Sequence, residues 1–200
     1  RFFTEQLAKL GTDYVDYYCL HALNAASYEN AVRLGVFEEV AQLKKEGKLR
    51  HLGFSFHDSA AVLDRILTEH PEMEYVQLQL NYFDWDSETV QSGACYETAK
   101  RHRKPVIVME PVKGGVLADV PQPIQALFRQ KQPKLSDASW AIRFAASLDN
   151  VMMVLSGMSN LEQLEDNTSY MEHFVPLDEE EKRILAEAVR IFDEQKAVDC

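Results

Sequence analysis

Residues 105–115, PVIVMEPVKGG, decide how the rest of the chain is read. Pro105 to Met109 (PVIVM) are apolar throughout, too short a run for a helix and without polar alternation. Such a run needs cover on both faces, as in a parallel strand lying under helices. EPVKGG then leaves the carboxyl end of that strand as a loop, with Gly114 and Gly115 free to take left-handed backbone. The same unit recurs four more times: YVDYYCL (14–20) after a Gly11-Thr12 break, HLGFS (51–55), YVQLQL (75–80) and VMMVL (151–155).

Helical periodicity fills the intervals. Residues 36–46 place Val36, Phe37, Val40 and Leu43 on one face and stop at Gly47. Asp58 or Ser59 caps a helix over 60–67, and another runs from after Asp86-Ser87 to about Arg103. Ser136 caps 138–146, and helices follow over 161–170 and from about 178 to 195. Pro121, Pro123 and Pro133 mark a looser insert. The spacing predicts one α/β domain over residues 1–200. Five βα units fit either an open doubly wound sheet or part of a closed barrel, and no GxGxxG turn follows a strand to favour the first.

A chain of 200 residues, 46% hydrophobic, can bury a real core but falls short of the roughly 250 residues typical of a complete (β/α)₈ barrel. The net charge of -11 excludes a phosphate-backbone footprint, so no nucleic-acid partner is expected. No apolar run approaches the length of a membrane span, and no basic segment precedes an apolar one as in a signal peptide. Cys19, Cys95 and Cys200 are odd in number and far apart, which suits a reducing cytoplasm better than a disulfide framework. The chain begins RFFTEQLAKLG, as if inside a helix, and stops at Cys200; truncation at both ends is expected.

In parallel α/β folds, functional groups collect at the carboxyl ends of strands. Those positions hold His21, Ser55 with His57, Gln77 with Asn81, Glu110 with Lys113, and Ser156 with Gly157. An imidazole at His21 can orient or polarise a carbonyl oxygen; the plain alternative is a rim histidine satisfied locally. A metal site on His21, His51 and His57 is disfavoured, because His51 opens its strand at the opposite end from His21. Lys113 brings a positive charge to the Gly114-Gly115 loop. The loop before the helix at 161 brings Gly157 and free amides suited to a phosphate. For each of these, a loop bonded to its own backbone is the competing reading.

Taken in order, LGTDYVDYYCLH (10–21), GVFEEVAQLKKEGKLRHLGFSFHD (35–58), VQLQLNY (76–82), VIVMEPVKGG (106–115) and LSGMSNLEQLEDN (155–167) resemble the second half of aldo/keto reductases. The resemblance runs over almost the whole chain and is nearest to the branch that ends in a cysteine-rich iron-sulfur segment. It implies strands four to eight of an incomplete (β/α)₈ barrel. It also implies hydride transfer between a nicotinamide cofactor and a small carbonyl or alcohol substrate. His21 matches the family's substrate-orienting histidine, while the Asp, Tyr and Lys of the catalytic set belong to the first three strands. The stretch alone is therefore expected to be inactive.

By the same resemblance, Ser55 and Gln77 match residues that contact the nicotinamide carboxamide, although Phe56 replaces the usual asparagine. Met109 stands where a tyrosine often stacks on the ring. Glu110 and Val112 fall in the pyrophosphate loop with Lys113, and Asp166-Asn167 resembles the pair that reads the adenine. Gly157 and Gln163 replace the basic residues that clamp a 2′-phosphate in many members, so the cofactor is NAD or NADP with NAD slightly favoured. Cys200 sits where the iron-sulfur branch begins its cysteine run, and one ligand cannot hold a cluster. The alternative is a non-catalytic nucleotide-binding module. Loss of the first strands would leave open barrel edges and promote self-association.

Overall fold

The computed structural model describes residues 2–198; Cys200, the candidate start of a cluster-binding segment, lies outside them. Five strands, β1 (Val15–Leu23), β2 (Leu49–Phe56), β3 (Tyr75–Gln79), β4 (Val106–Met109) and β5 (Val151–Val154), form a parallel sheet whose order follows the chain. The helices are α1 (Phe2–Leu10), α2 (Ala25–Arg33), α3 (Val36–Lys45), α4 (Ala60–Glu69), α5 (Ser92–Arg101), α6 (Gln122–Lys131), α7 (Asp137–Ala146), α8 (Leu161–Met171) and α9 (Glu179–Val198), with a 3₁₀ segment over Lys113–Ala118. Among the described residues, no helix is long and apolar enough to cross a membrane. The chain divides into two compact units, the first made of residues up to 78 with 89–106, the second of 79–88 and everything from 107 onward.

In the first unit, β2 pairs in parallel with β1 on one side and β3 on the other, placing Cys19 beside Gly53 and Ser55 beside Gln77. Leu52 and Phe54 of β2 are fully buried, as are Leu63, Ile66 and Leu67 of α4. Gly53 is obligatory here. A Cβ on it would lie 2.5 Å from the Tyr75 carbonyl oxygen and 2.7 Å from the Tyr75 ring, well inside contact distance. On α5, the Cys95 thiol is buried against the Asp58 carbonyl at 3.6 Å, and burial, aided by the Asp58 charge, pushes its pKa up to about 11.

Two elements of this unit depart from the sequence reading. β1 continues to Leu23 rather than ending at Leu20, because a bulge carries the ladder past His21. α2 was not anticipated. Its cap is a reciprocal pair, in which the Asn24 side chain accepts from the Ser27 amide at 2.9 Å and the Ser27 hydroxyl accepts from the Asn24 amide at 2.8 Å. Its core residue is the fully buried Tyr28, whose hydroxyl donates to Glu69.

The second unit buries Leu117, Ile124, Phe128, Trp140, Leu185 and Phe192 in one cluster, with the Phe128 and Trp140 rings stacked at 4.3 Å. Two of the three prolines read as a looser insert instead start α6: Pro121 is its N-cap and Pro123 lies in the first turn, where a missing N–H costs nothing, while Pro133 follows its C-cap. α7 and α9 are joined by a desolvated ion pair. The Arg143 guanidinium donates to both Glu181 oxygens at 2.8 and 3.0 Å, and Gln132 and the Asp178 amide donate to the same carboxylate. Arg143 is 5% exposed and Glu181 2%.

Burial raises the Glu181 pKa, but the bonds from Arg143, Asp178 and Gln132 outweigh it and hold the carboxyl below the usual range. A depressed folded-state pKa contributes stability that is complete above about pH 4.3, the unfolded glutamate value, and is lost as pH falls through the folded value. Glu181→Gln strands the buried guanidinium. It is expected to cost about 3–5 kcal/mol in urea unfolding at pH 7, and the gap to the parent should shrink by pH 3.

Candidate functional site

His21 lies inside β1 with its side chain exposed. The register runs Leu20 opposite Phe54 but Leu23 opposite Phe56, one residue more on β1 than on β2, and Ala22 takes φ 54°. A bulge of this kind re-aims side chains and is frequent beside active sites. The displaced Ala22 amide donates to the Ser55 hydroxyl at 2.7 Å, and the Ser27 hydroxyl donates to the Ala22 carbonyl at 3.0 Å. Ser55 is 2% exposed, so its oxygen stands in for the missing ladder acceptor and fixes the bulge that carries His21. Gln77, beside Ser55 on β3, is half-buried.

The second unit holds a cleft of about 470 Å³. Its walls come from the loop after β4, Ala138 and Ile142 of α7, the residues after β5, and α8. In the β4 loop, Glu110 (φ 54°), Lys113 (φ 48°), Gly114 (φ 61°) and Gly115 (φ 100°) are all left-handed. Two of these are not glycine, a conformation that persists only where surrounding groups impose it. Asn81, fully buried, donates through Nδ2 to the Glu110 carbonyl at 3.2 Å and to Asp84 Oδ2 at 3.0 Å, and accepts from the Asp84 amide at 2.8 Å. Lys113 Nζ reaches Asp84 Oδ1 at 2.6 Å and Oδ2 at 2.8 Å. The Glu110 carboxylate accepts from the Gly114 amide at 2.7 Å.

The sequence-derived residues fall as follows. Glu110, Val112, Gly157, Gln163, Asp166 and Asn167 line this cleft. Met109 ends β4, half-buried. Lys113 sits in the loop but gives its ammonium to Asp84. Gln163 turns back on its own helix start, accepting from the Ser159 amide at 2.7 Å while its amide donates to Asn160. Asp166 accepts from the Ser136 hydroxyl at 2.6 Å, and Asn167 bridges the Ser156 and Tyr170 hydroxyls at 3.0 and 2.5 Å. The lining carries two carboxylates, Glu110 and Asp166, and no Lys or Arg among the described residues. Asp84 was missed by sequence reading; the Asn-x-x-Asp spacing from Asn81, which suits an Asx turn, was the available signal.

With this geometry in view, comparison with known proteins defines the class. The model of the Aldo/keto reductase family matches residues 1–190, and the chain belongs to that family. Among solved structures it is similar to the holo form of an aldo-keto reductase from Bacillus halodurans, with TM-score 0.72 and 22% identity over 94% of this chain and 63% of that one. A thermostable aldo-keto reductase in complex with the inhibitor epalrestat gives TM-score 0.73 and 20% identity over 93% of this chain and 64% of that one. An aldo/keto reductase from Brucella melitensis gives 0.70 and 18% over 94% and 65%. The chain thus spans less than two thirds of the length of these structures, and at such identities the likeness establishes the fold. No match emerges among curated proteins.

Ser55→Ala removes the acceptor of a partly buried amide. It is expected to lower the unfolding free energy by about 1–3 kcal/mol. Urea denaturation of the variant measures this, and an unchanged midpoint would show that the bulge does not need the hydroxyl.

Proposed function

We propose that these residues form the cofactor-binding part of an NAD(P)-dependent oxidoreductase acting on a small carbonyl or alcohol. The observation that carries the reading is the cleft of the second unit, which has glycine backbone at Gly114, Gly115 and Gly157 and no Cβ contact within 4 Å of Gly115 or Gly157. Its size suits the adenosine end of a dinucleotide. The nicotinamide supplies the hydride when bound. Asp166 and Asn167 hold the adenine side, and Val112 and the loop amides border the pyrophosphate. In the first unit, Ser55 and Gln77 are assigned to the carboxamide and His21 to orienting the substrate oxygen. Met109 packs on the nicotinamide ring. The proton donor and its partners are assigned outside these 200 residues, so the stretch alone is not expected to turn over.

The lining chemistry favours NAD over NADP. With Gly157 and Gln163 in place of cations, a 2′-phosphate forgoes charge-assisted bonds of about 1.5–3 kcal/mol each and meets the carboxylates instead. Titration with NADH and NADPH, followed by nicotinamide fluorescence, is expected to give saturable NADH binding, about tenfold or more tighter than NADPH. Asn167→Ala should weaken it. Glu110→Gln removes a negative charge from the cleft wall and should tighten both nucleotides. Equal affinities would overturn the preference. Absence of binding by the folded protein would favour a non-catalytic interaction module.

We also propose a reducing cytoplasmic setting, which suits the free thiols Cys19 and Cys95, and self-association through the terminal strands. β1 and β5 end the sheet order, with Tyr17 48%, Met152 41% and Met153 48% exposed. Unpaired edges bearing apolar side chains recruit other chains. Sedimentation velocity is expected to show concentration-dependent association, and a monomer at all concentrations would remove the proposal.

A further inference from the structure

We propose that Asp84 and Lys113 are positioning residues, an ionic tether that sets the shape of the β4 loop rather than a contact to a phosphate. The inference rests on the cleft being a nucleotide site. Lys113 is the natural candidate for a phosphate ligand by sequence, yet its ammonium is bidentate on a carboxylate that is itself 3% exposed. For Lys113 to swing to a phosphate, Asp84 would be left in the interior without its counter-ion. Gln79 and Asn81 amides complete the shell of Asp84 at 3.4 and 3.0 Å, and the Phe83 ring lies 5.1 Å from Nζ. The ammonium thus meets the two Asp84 oxygens and the Phe83 ring face, and the same carboxylate is further bonded by the two side-chain amides.

The loop's geometry explains what the tether does. Glu110 and Lys113, the two left-handed residues that are not glycine, bracket Pro111 and Val112. Each bracket is pinned to the same turn after β3: Glu110 through its carbonyl on Asn81, Lys113 through its side chain on Asp84. Between and just beyond the pins lie Pro111, Val112, Gly114 and Gly115, which line the cleft. Removing Lys113 or Asp84 therefore releases one end of the wall. A direct phosphate ligand would behave in the opposite way, because neutralising Asp84 would free its charge for the ligand.

A double-mutant cycle separates these roles. NADH and NADPH affinities are measured for the parent, Asp84→Asn, Lys113→Met, the double variant and Lys113→Arg. The tether predicts that each single variant weakens both nucleotides by the same factor, about tenfold, since small misplacements of positioning groups are costly. The double variant should be no weaker than the worse single, and Lys113→Arg should bind like the parent because a guanidinium still bridges Asp84. Unchanged or tighter binding by Asp84→Asn, or a loss confined to NADPH, would overturn it. If a single variant does not fold, the double, which buries no orphan charge, decides: equal weakening supports the tether and unchanged affinity refutes it. Amide exchange of Gly114 and Leu117 without nucleotide gives a readout independent of binding. Faster exchange in the charge-removing variants, restored by Lys113→Arg, supports the tether even if the parent binds neither nucleotide. Parent-like exchange in those variants refutes it.

Discussion

A carboxylate taken out of water must find a counter-charge and enough donors to replace its hydration, and at Asp84 that requirement organises the polar end of the second unit. The turn after β3 closes on Asn81 so that the Asp84 amide and carboxylate are both met. The β4 loop bends through left-handed backbone and delivers Lys113 to the same carboxylate. The cleft wall follows from these bonds. Arg143 and Glu181 play the corresponding part among the helices, where one guanidinium ties α7 to the start of α9.

Much of this was legible in the sequence, because strands buried on both faces announce themselves. PVIVM (105–109) and YVQLQL (75–80) became β4 and the β3 region, and the alternation with helices gave the parallel α/β architecture. What escaped notice depended on partners distant in sequence or on positional exceptions. The bulge at Ala22 is stabilised by Ser55, 33 residues away, and no local pattern reports it. α2 hides behind an Asn-x-x-Ser cap instead of the commoner acidic form. α6 was obscured by prolines that break helices in the interior but start them at the end. Lys113 illustrates a different limit, since sequence supplies the charge while only the fold reveals which carboxylate holds it.

The cleft is framed by glycine backbone and short polar side chains that already bond one another. Ser136 with Asp166, Ser156 with Asn167 and Ser159 with Gln163 form local pairs before any ligand enters. Such pairing keeps the walls in defined rotamers and limits the ordering needed on binding. It also means that discrimination rests on what is withheld. A surface without cations selects by declining extra charge.

The burial of Cys95 has a use of its own. With its thiol pushed up to about 11 and enclosed on the inner face of α5, it carries almost no thiolate at neutral pH and offers no path to a reagent while the first unit is closed. Cys19, also in that unit, has its thiol raised chiefly by burial. The second unit has no cysteine among its described residues. The alkylation rate at Cys95 is therefore an intrinsic clock for opening of the first unit, readable by mass spectrometry without introducing a probe.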